Sequence, residues 1–242
     1  MMKWLKGIIN VSLLVGLGFL LSFTEQQQQN LPCQGVSIQL EDELTSFISR
    51  GEILLLLNGL VDSVEGLPLS ELPLYEIELT IEQHALIAEA EAYVLPDGAL
   101  EVVLKQKEPM VRLQHQSGKE FYLTEEGQPF PLSQIYTQRV LVANGHIADS
   151  DDVAAVARLS ALIVKDDFWK AQITQVYLNE AKELELIPRV GNHTILLGKA
   201  EDLEEKLEKL MLFYTKGVPQ TGWNSYRLIN LKYKDQIVCV KR

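Results

Sequence analysis

Residues 88–106 read AEAEAYVLPDGALEVVLKQ, and this stretch decides the fold of the first half of the chain. Two alternating runs, residues 88–95 and 99–106, flank Pro96-Asp97-Gly98. Proline presets φ and glycine accepts a positive φ, so the tripeptide predicts a tight turn between two antiparallel strands. In the second run Leu100, Val102 and Leu104 share one face, and Glu101, Val103 and Lys105 the other. Upstream, residues 74–86 place Leu74, Ile77, Ile81 and Ala85 at offsets of three and four, one buried helical face. Residues 42–51 and 52–60 predict a helical region broken at Arg50-Gly51. Its four consecutive leucines, Leu54 to Leu57, are expected to be mostly buried. Val36–Leu40 (VSIQL) alternates as a strand does. Gly66, Pro68 and Pro73 mark the intervening loop. The expected order is β-α-α-β-β over residues 35–109.

Beyond Glu108-Pro109 strands predominate, in a second domain over residues 110–242. Residues 110–114 and 120–123 flank the hairpin signal Ser117-Gly118. Gly127, Pro129 and Pro131 predict a loop, and residues 139–143 a strand. Ser150 is the expected cap of a helix over residues 151–164, with two acids matching the dipole. Strands are expected at residues 173–178, 183–187 and 194–197. An amphipathic helix follows over residues 201–216, with Leu203, Leu207, Leu210 and Tyr214 on one face and Gly217 ending it. Residues 226–233 and 236–241 are the last strands, turning at Lys234-Asp235. The fold class is α+β, a β-α-α-β-β domain followed by a β-rich domain with two or more flanking helices.

The chain opens differently. Residues 7–23 (GIINVSLLVGLGFLLSF) follow Lys3 and Lys6 and contain no ionisable side chain. As a helix they span roughly 25 Å, and Trp4 and Leu5 extend them toward bilayer thickness. The expectation is a cytoplasmic tail (1–6), a transmembrane helix (7–24) and a polar linker (25–34, with EQQQQN at its start). The lysines keep the N-terminus cytoplasmic and place the bulk outside the inner membrane. The competing reading, a cleaved signal peptide, lacks a good small-residue cleavage site; Ser22-Phe23-Thr24 is its best candidate.

With 22 basic and 33 acidic side chains among 242 residues, the net charge is −11. Such a balance argues against a nucleic-acid binder, which needs a basic stripe. Cys33 and Cys239 make no disulfide framework and are expected to be separate thiols. His84, His115, His146 and His193 show no ligand spacing, and no nucleophile elbow or phosphate loop is present. Asp151-Asp152 and Asp166-Asp167 are explained by helix starts rather than by a cation. No catalytic residue, metal or cofactor is assigned.

The combination resembles the FtsQ/DivIB family of bacterial cell-division proteins. Residues 104–109 (LKQKEP) are similar to that family's link between its POTRA and β domains. Residues 118–133 (GKEFYLTEEGQPFPLS), with Arg139-Val140-Leu141-Val142, resemble a family stretch, as do Asp167-Phe168-Trp169, residues 185–191 (ELIPRVG) and Gly222-Trp223-Asn224. Residues 229–233 (INLKY) resemble an apolar-Asp-Leu-Arg-Tyr strand, with Asn230 and Lys232 at its two charged positions. The resemblance implies a non-enzymatic, single-pass divisome scaffold. It would bind FtsB/FtsL-type partners in the periplasm at the septum and help recruit and regulate septal peptidoglycan synthesis. Partner pairing with the last strand, a family trait, points to Tyr233, Gln236, Ile237, Val238, Cys239, Val240 and Lys241. Such a strand at a sheet edge has free main-chain groups, and Lys241 and Arg242 add positive charge. The alternatives are a secretion or envelope-assembly module containing a POTRA unit, and a membrane-anchored cell-wall hydrolase.

Overall fold

The computed structural model describes Val15 and residues 31–41, 45–60, 64–218 and 222–242. The expected membrane segment lies outside the described residues apart from Val15, and no helix among them is long and apolar enough to cross a membrane. The chain divides into two compact units, Met1–Gln106 and Lys107–Arg242.

In the first unit the order is β1 (Val36–Leu40), α1 (Arg50–Leu60), α2 (Leu74–Glu82), β2 (Ile87–Val94) and β3 (Leu100–Gln106), with a short 3-10 turn at Leu69–Glu71. The sheet order is β1-β3-β2, with β1 parallel and β2 antiparallel to β3. Gly98 takes φ +88° at the β2–β3 turn, where the Leu95 N–H donates to the Ala99 carbonyl at 2.8 Å. Leu100, Val102 and Leu104 are fully buried against Ile53, Leu57, Ile77 and Ile81.

Three expectations need correcting here. Arg50-Gly51 does not interrupt a helix but begins one, with the Ser49 hydroxyl accepting the Glu52 N–H at 3.2 Å. Of the four leucines only Leu57 is buried; Leu54 and Leu55 are exposed. Consecutive residues on a helix step around it by ~100°, so four in a row cannot share the narrow face that Ile53 and Leu57 already fill. The second helix stops at Glu82 rather than Leu86, because Ile87 is already the first residue of β2, and Ala85 is exposed.

The second unit is built on a nine-stranded sheet of β4 (Val111–Gln114), β5 (Glu120–Leu123), β6 (Pro129–Pro131), β7 (Leu141–Gly145), β8 (Ile173–Leu178), β9 (Leu184–Pro188), β10 (Thr194–Gly198), β11 (Tyr226–Asn230) and β12 (Val238–Lys241). Its order is β12-β11-β10-β9-β8-β7-β4-β5-β6. Three helices accompany it: α3 (Ser150–Lys165), α4 (Asp167–Gln172) and α5 (Leu203–Leu212), which continues into a π turn at Phe213–Gly217. Val156, Leu159, Ile163, Trp169, Leu203, Leu207, Leu210 and Tyr214 share a core with alternate strand residues such as Leu113, Ala143, Val176, Leu186, Ile195 and Ile229. Helices therefore cover one sheet face. On the other face the intervening residues, including Val142, Gln175, Glu185, Leu196 and Leu228, are half-buried.

Here too the structure differs in detail. The loop expected at Pro129 and Pro131 contains β6, an edge strand, the position where a sheet tolerates proline. The strand expected at residues 139–143 runs Leu141–Gly145. It ends on Gly145, φ +106°, where a Cβ would lie 2.2 Å from the Leu178 carbonyl oxygen. The cap of α3 is Asp149, not Ser150, in a capping box with Asp152. A second acid, Asp166, accepts from the Phe168 and Trp169 N–H groups and starts α4, where the sequence places a helix start at Asp166-Asp167 without giving the helix bounds.

Candidate partner-docking edge

A nine-stranded open sheet has two edges, and this one treats them differently. At the β6 edge, the Thr124 N–H donates to the Gln128 carbonyl, which sets the alternation of the β5–β6 pair. Phe130 then turns its main-chain groups toward Tyr122, and the imide nitrogens of Pro129 and Pro131 face outward. That edge presents no N–H donor at either proline.

The β12 edge carries no such block. The Leu231 N–H donates to the Leu196 carbonyl, so odd-numbered residues of this strand segment face β10 and Leu228 and Asn230 face β12. Their partners are Val240 and Val238. A register shift lies between Tyr226 and Leu228, and the Arg242 N–H donates to the Ser225 carbonyl at 3.3 Å. By alternation the main-chain groups of Cys239 and Lys241 face away from the sheet.

The seven residues singled out from sequence do not all lie on this strand. Val238, Cys239, Val240 and Lys241 form β12, and Ile237 immediately precedes it. Ile237 and Cys239 are partly buried against the core, while Val238 and Val240 belong to the opposite face, with Val238 39% exposed. Burial pushes the Cys239 thiol above its usual range. Cys33 and Cys239 are both free thiols. Tyr233 and Gln236 are exposed in the connection at residues 231–237, which is longer than the expected turn. The Asn230 side chain accepts the Lys232 N–H at 3.0 Å and turns the chain off the strand, and Leu231 is fully buried. The Lys209 ammonium donates to the Tyr233 and Lys234 carbonyls at 2.9 and 2.8 Å, and Lys232 pairs with Glu183 at 2.5 Å.

Sequence reasoning missed two neighbours. Leu228 lies opposite Val240, and Leu196 is in register with Asn230, which lies opposite Val238. Leu228, Val238 and Val240 thus form an apolar strip at the edge of the outer sheet face, with Asn230 standing between it and Leu196. Their alternation was visible, but their adjacency depends on strand order.

Arg242 fixes the end of β12 by donating from Nη2 to the Asn192 carbonyl at 2.5 Å. Beside it His193 is buried, its Nε2 2.8 Å from the Tyr214 hydroxyl, and its Nδ1 has no hydrogen-bond partner among the described residues. Phe168, Trp169 and Trp223 pack around Tyr214. Burial lowers the imidazole pKa, the Trp223 carbonyl opposes this short of proper hydrogen-bond geometry, and the Arg242 charge lowers it further. Burial likewise raises the Tyr214 phenol, against a weaker pull from Gln172.

Elsewhere the acidic pairs act in structure. Burial raises the Asp152 carboxyl, but the Lys182 ammonium and the Ala148 and Asp149 N–H groups outweigh it and hold the pKa below the usual range. Among the described residues no three His, Cys, Asp or Glu side chains gather as a metal site.

Comparison with known families fits this architecture. A family model described as FtsQ/DivIB, C-terminal related, matches residues 108–240, more than half of the chain. The chain belongs to the FtsQ/DivIB family. A model for the POTRA-like domain matches residues 31–105, the β-α-α-β-β unit. No curated protein matches the chain. As an FtsQ/DivIB-family member it is a cell-division protein with a scaffold role, built from a POTRA-like domain and a β-rich domain.

Proposed function

We propose that this FtsQ/DivIB-family protein is a non-enzymatic, membrane-tethered divisome scaffold that docks a strand from an FtsB/FtsL-type partner onto β12. It is anchored by residues 7–24 with its bulk in the periplasm, and it helps recruit and regulate septal peptidoglycan synthesis. The observation that carries the reading is the open β12 edge, with the Cys239 and Lys241 main-chain groups facing outward beside the apolar strip of Leu228, Val238 and Val240. An added strand gains main-chain hydrogen bonds there, and the strip supplies side-chain contacts. Lys241 and Arg242 favour an acidic partner segment.

Parity supplies a precise test. Proline at Val238 would remove a bond to β11 and damage the fold. Proline at Lys241, an exposed position, removes an outward donor only. Lys241→Pro is expected to weaken partner binding about tenfold, the scale of one net hydrogen bond. Deleting residues 236–242 is expected to abolish it, with folding checked by circular dichroism. Wild-type partner affinity in both folded variants refutes strand addition.

A further inference from the structure

The first unit carries a second surface that β12 docking does not use. Its helices bury Ile53 and Leu57 on α1 and Ile77 and Ile81 on α2. Leu55 and Leu79 each sit about 180° around their helix from that buried pair. A solvated helix pair places polar side chains at those positions. Here Leu55 is 73% exposed, Leu79 43%, Tyr75 71% and Leu54 40%. The two helices run side by side in opposite directions, with Glu52 at the start of α1 3.3 Å from His84 just past the end of α2. Leu55, Leu79 and Tyr75 therefore share the outer surface of one helix pair, while Leu54, about 80° from the buried pair and opposite Glu52, lies on its flank; isolated exposed apolar residues would need no explanation.

The charge around them identifies the occupant. Residues 31–106 contain 14 acidic and 2 basic side chains, net −12, whereas residues 107–242 contain 18 of each. The negative charge of the protein is thus concentrated on the POTRA-like unit. Exposed Glu52 on α1 and exposed Glu76 and Glu82 on α2 are carried by the same two helices. A second copy of this unit, or an anionic lipid surface, would meet like charge over the whole face. The geometry points to docking of a basic amphipathic segment of a partner protein, its apolar side on Leu55, Leu79 and Tyr75 and its cations on the glutamates of the same two helices.

The test uses the full chain in phosphatidylcholine nanodiscs and a fluorescent helical peptide of about 14 residues, leucine and lysine at helical spacing. A twin with glutamate for lysine is the control. The basic peptide is expected to bind at about 1–10 μM and the acidic twin not at all. Leu55→Gln with Leu79→Gln should weaken binding about tenfold while leaving thermal unfolding unchanged, since both side chains are exposed. Lys241→Pro should leave it unchanged, so failure of the β12 reading and failure of this one are read separately. Equal binding to the double variant reduces the effect to bulk charge and overturns the proposal. Absence of binding, or binding of the acidic twin, overturns it too. Leucine-dependent retention on phosphatidylglycerol vesicles would assign the face to lipid and overturn it as well.

Discussion

His193 sits where the end of β12 meets the aromatic cluster, 4% exposed and with one ring nitrogen unsatisfied. Its pKa in the fold is lowered, by burial first and by Arg242. Above the unfolded value of about 6.5 the ring is neutral in both states and its contribution to stability is complete. As pH falls below that value the unfolded chain takes up the proton first, so stability declines until the folded imidazole also protonates. The second unit is therefore expected to melt at lower temperature at pH 5 than at pH 7. His193→Gln keeps a polar partner for the Tyr214 hydroxyl and should flatten that dependence. Identical pH slopes for the two proteins in calorimetry would remove His193 from the account. The sequence offered this histidine only as one of four without ligand spacing. Its burial follows from strand order and the π turn that delivers Tyr214, neither of which is encoded locally.

Among the elements, β2 shows how an edge is closed by its own neighbours. The Leu95–Ala99 bond sets the alternation, so the Ala90 and Ala92 N–H groups face away from β3. Both are taken up: Ala92 donates to Glu78 at 2.9 Å and Ala90 to Glu82 at 3.2 Å. The two glutamates are four residues apart on one face of α2, and the small alanines let that helix approach. Glu78→Ala with Glu82→Ala is expected to cost about 1–3 kcal/mol in urea unfolding. It should also expose a strand edge, read as self-association in sedimentation at raised concentration. A variant that stays monomeric and equally stable would show that the carboxylates are incidental. The hairpin itself was legible, because alternation and Pro-Asp-Gly act locally. The closure was not, because it depends on which N–H groups face out. Leu54 to Leu57 misled for a related reason: composition argued for burial, while helical period allowed only Leu57 into the core.

For the molecule as a whole, the two units differ in how charge bears on them. Total charge was plain from composition, and its partition follows from a boundary near residues 106–109, which the sequence placed at 109 and the structure at Gln106 and Lys107. The strand order that puts β12 at an edge needs three parallel pairings, β4–β7, β7–β8 and β10–β11, across long connections. The net −12 of residues 31–106 produces self-repulsion in the POTRA-like unit, and the balanced second unit has none of comparable size. Salt screens such repulsion, because the Debye length falls from about 30 Å at 0.01 M to about 3 Å at 1 M. Raising sodium chloride across that range should therefore slow hydrogen exchange in α1, α2 and β2 by several-fold. Protected amides of β7, β8 and β10 should change far less. Peptide-resolved mass spectrometry reads both units in one experiment, and each controls for the other against salt effects on exchange chemistry. Equal responses in the two units would mean that the acidic side chains of the first are already neutralised by arrangement, and with them the attraction that a basic partner requires.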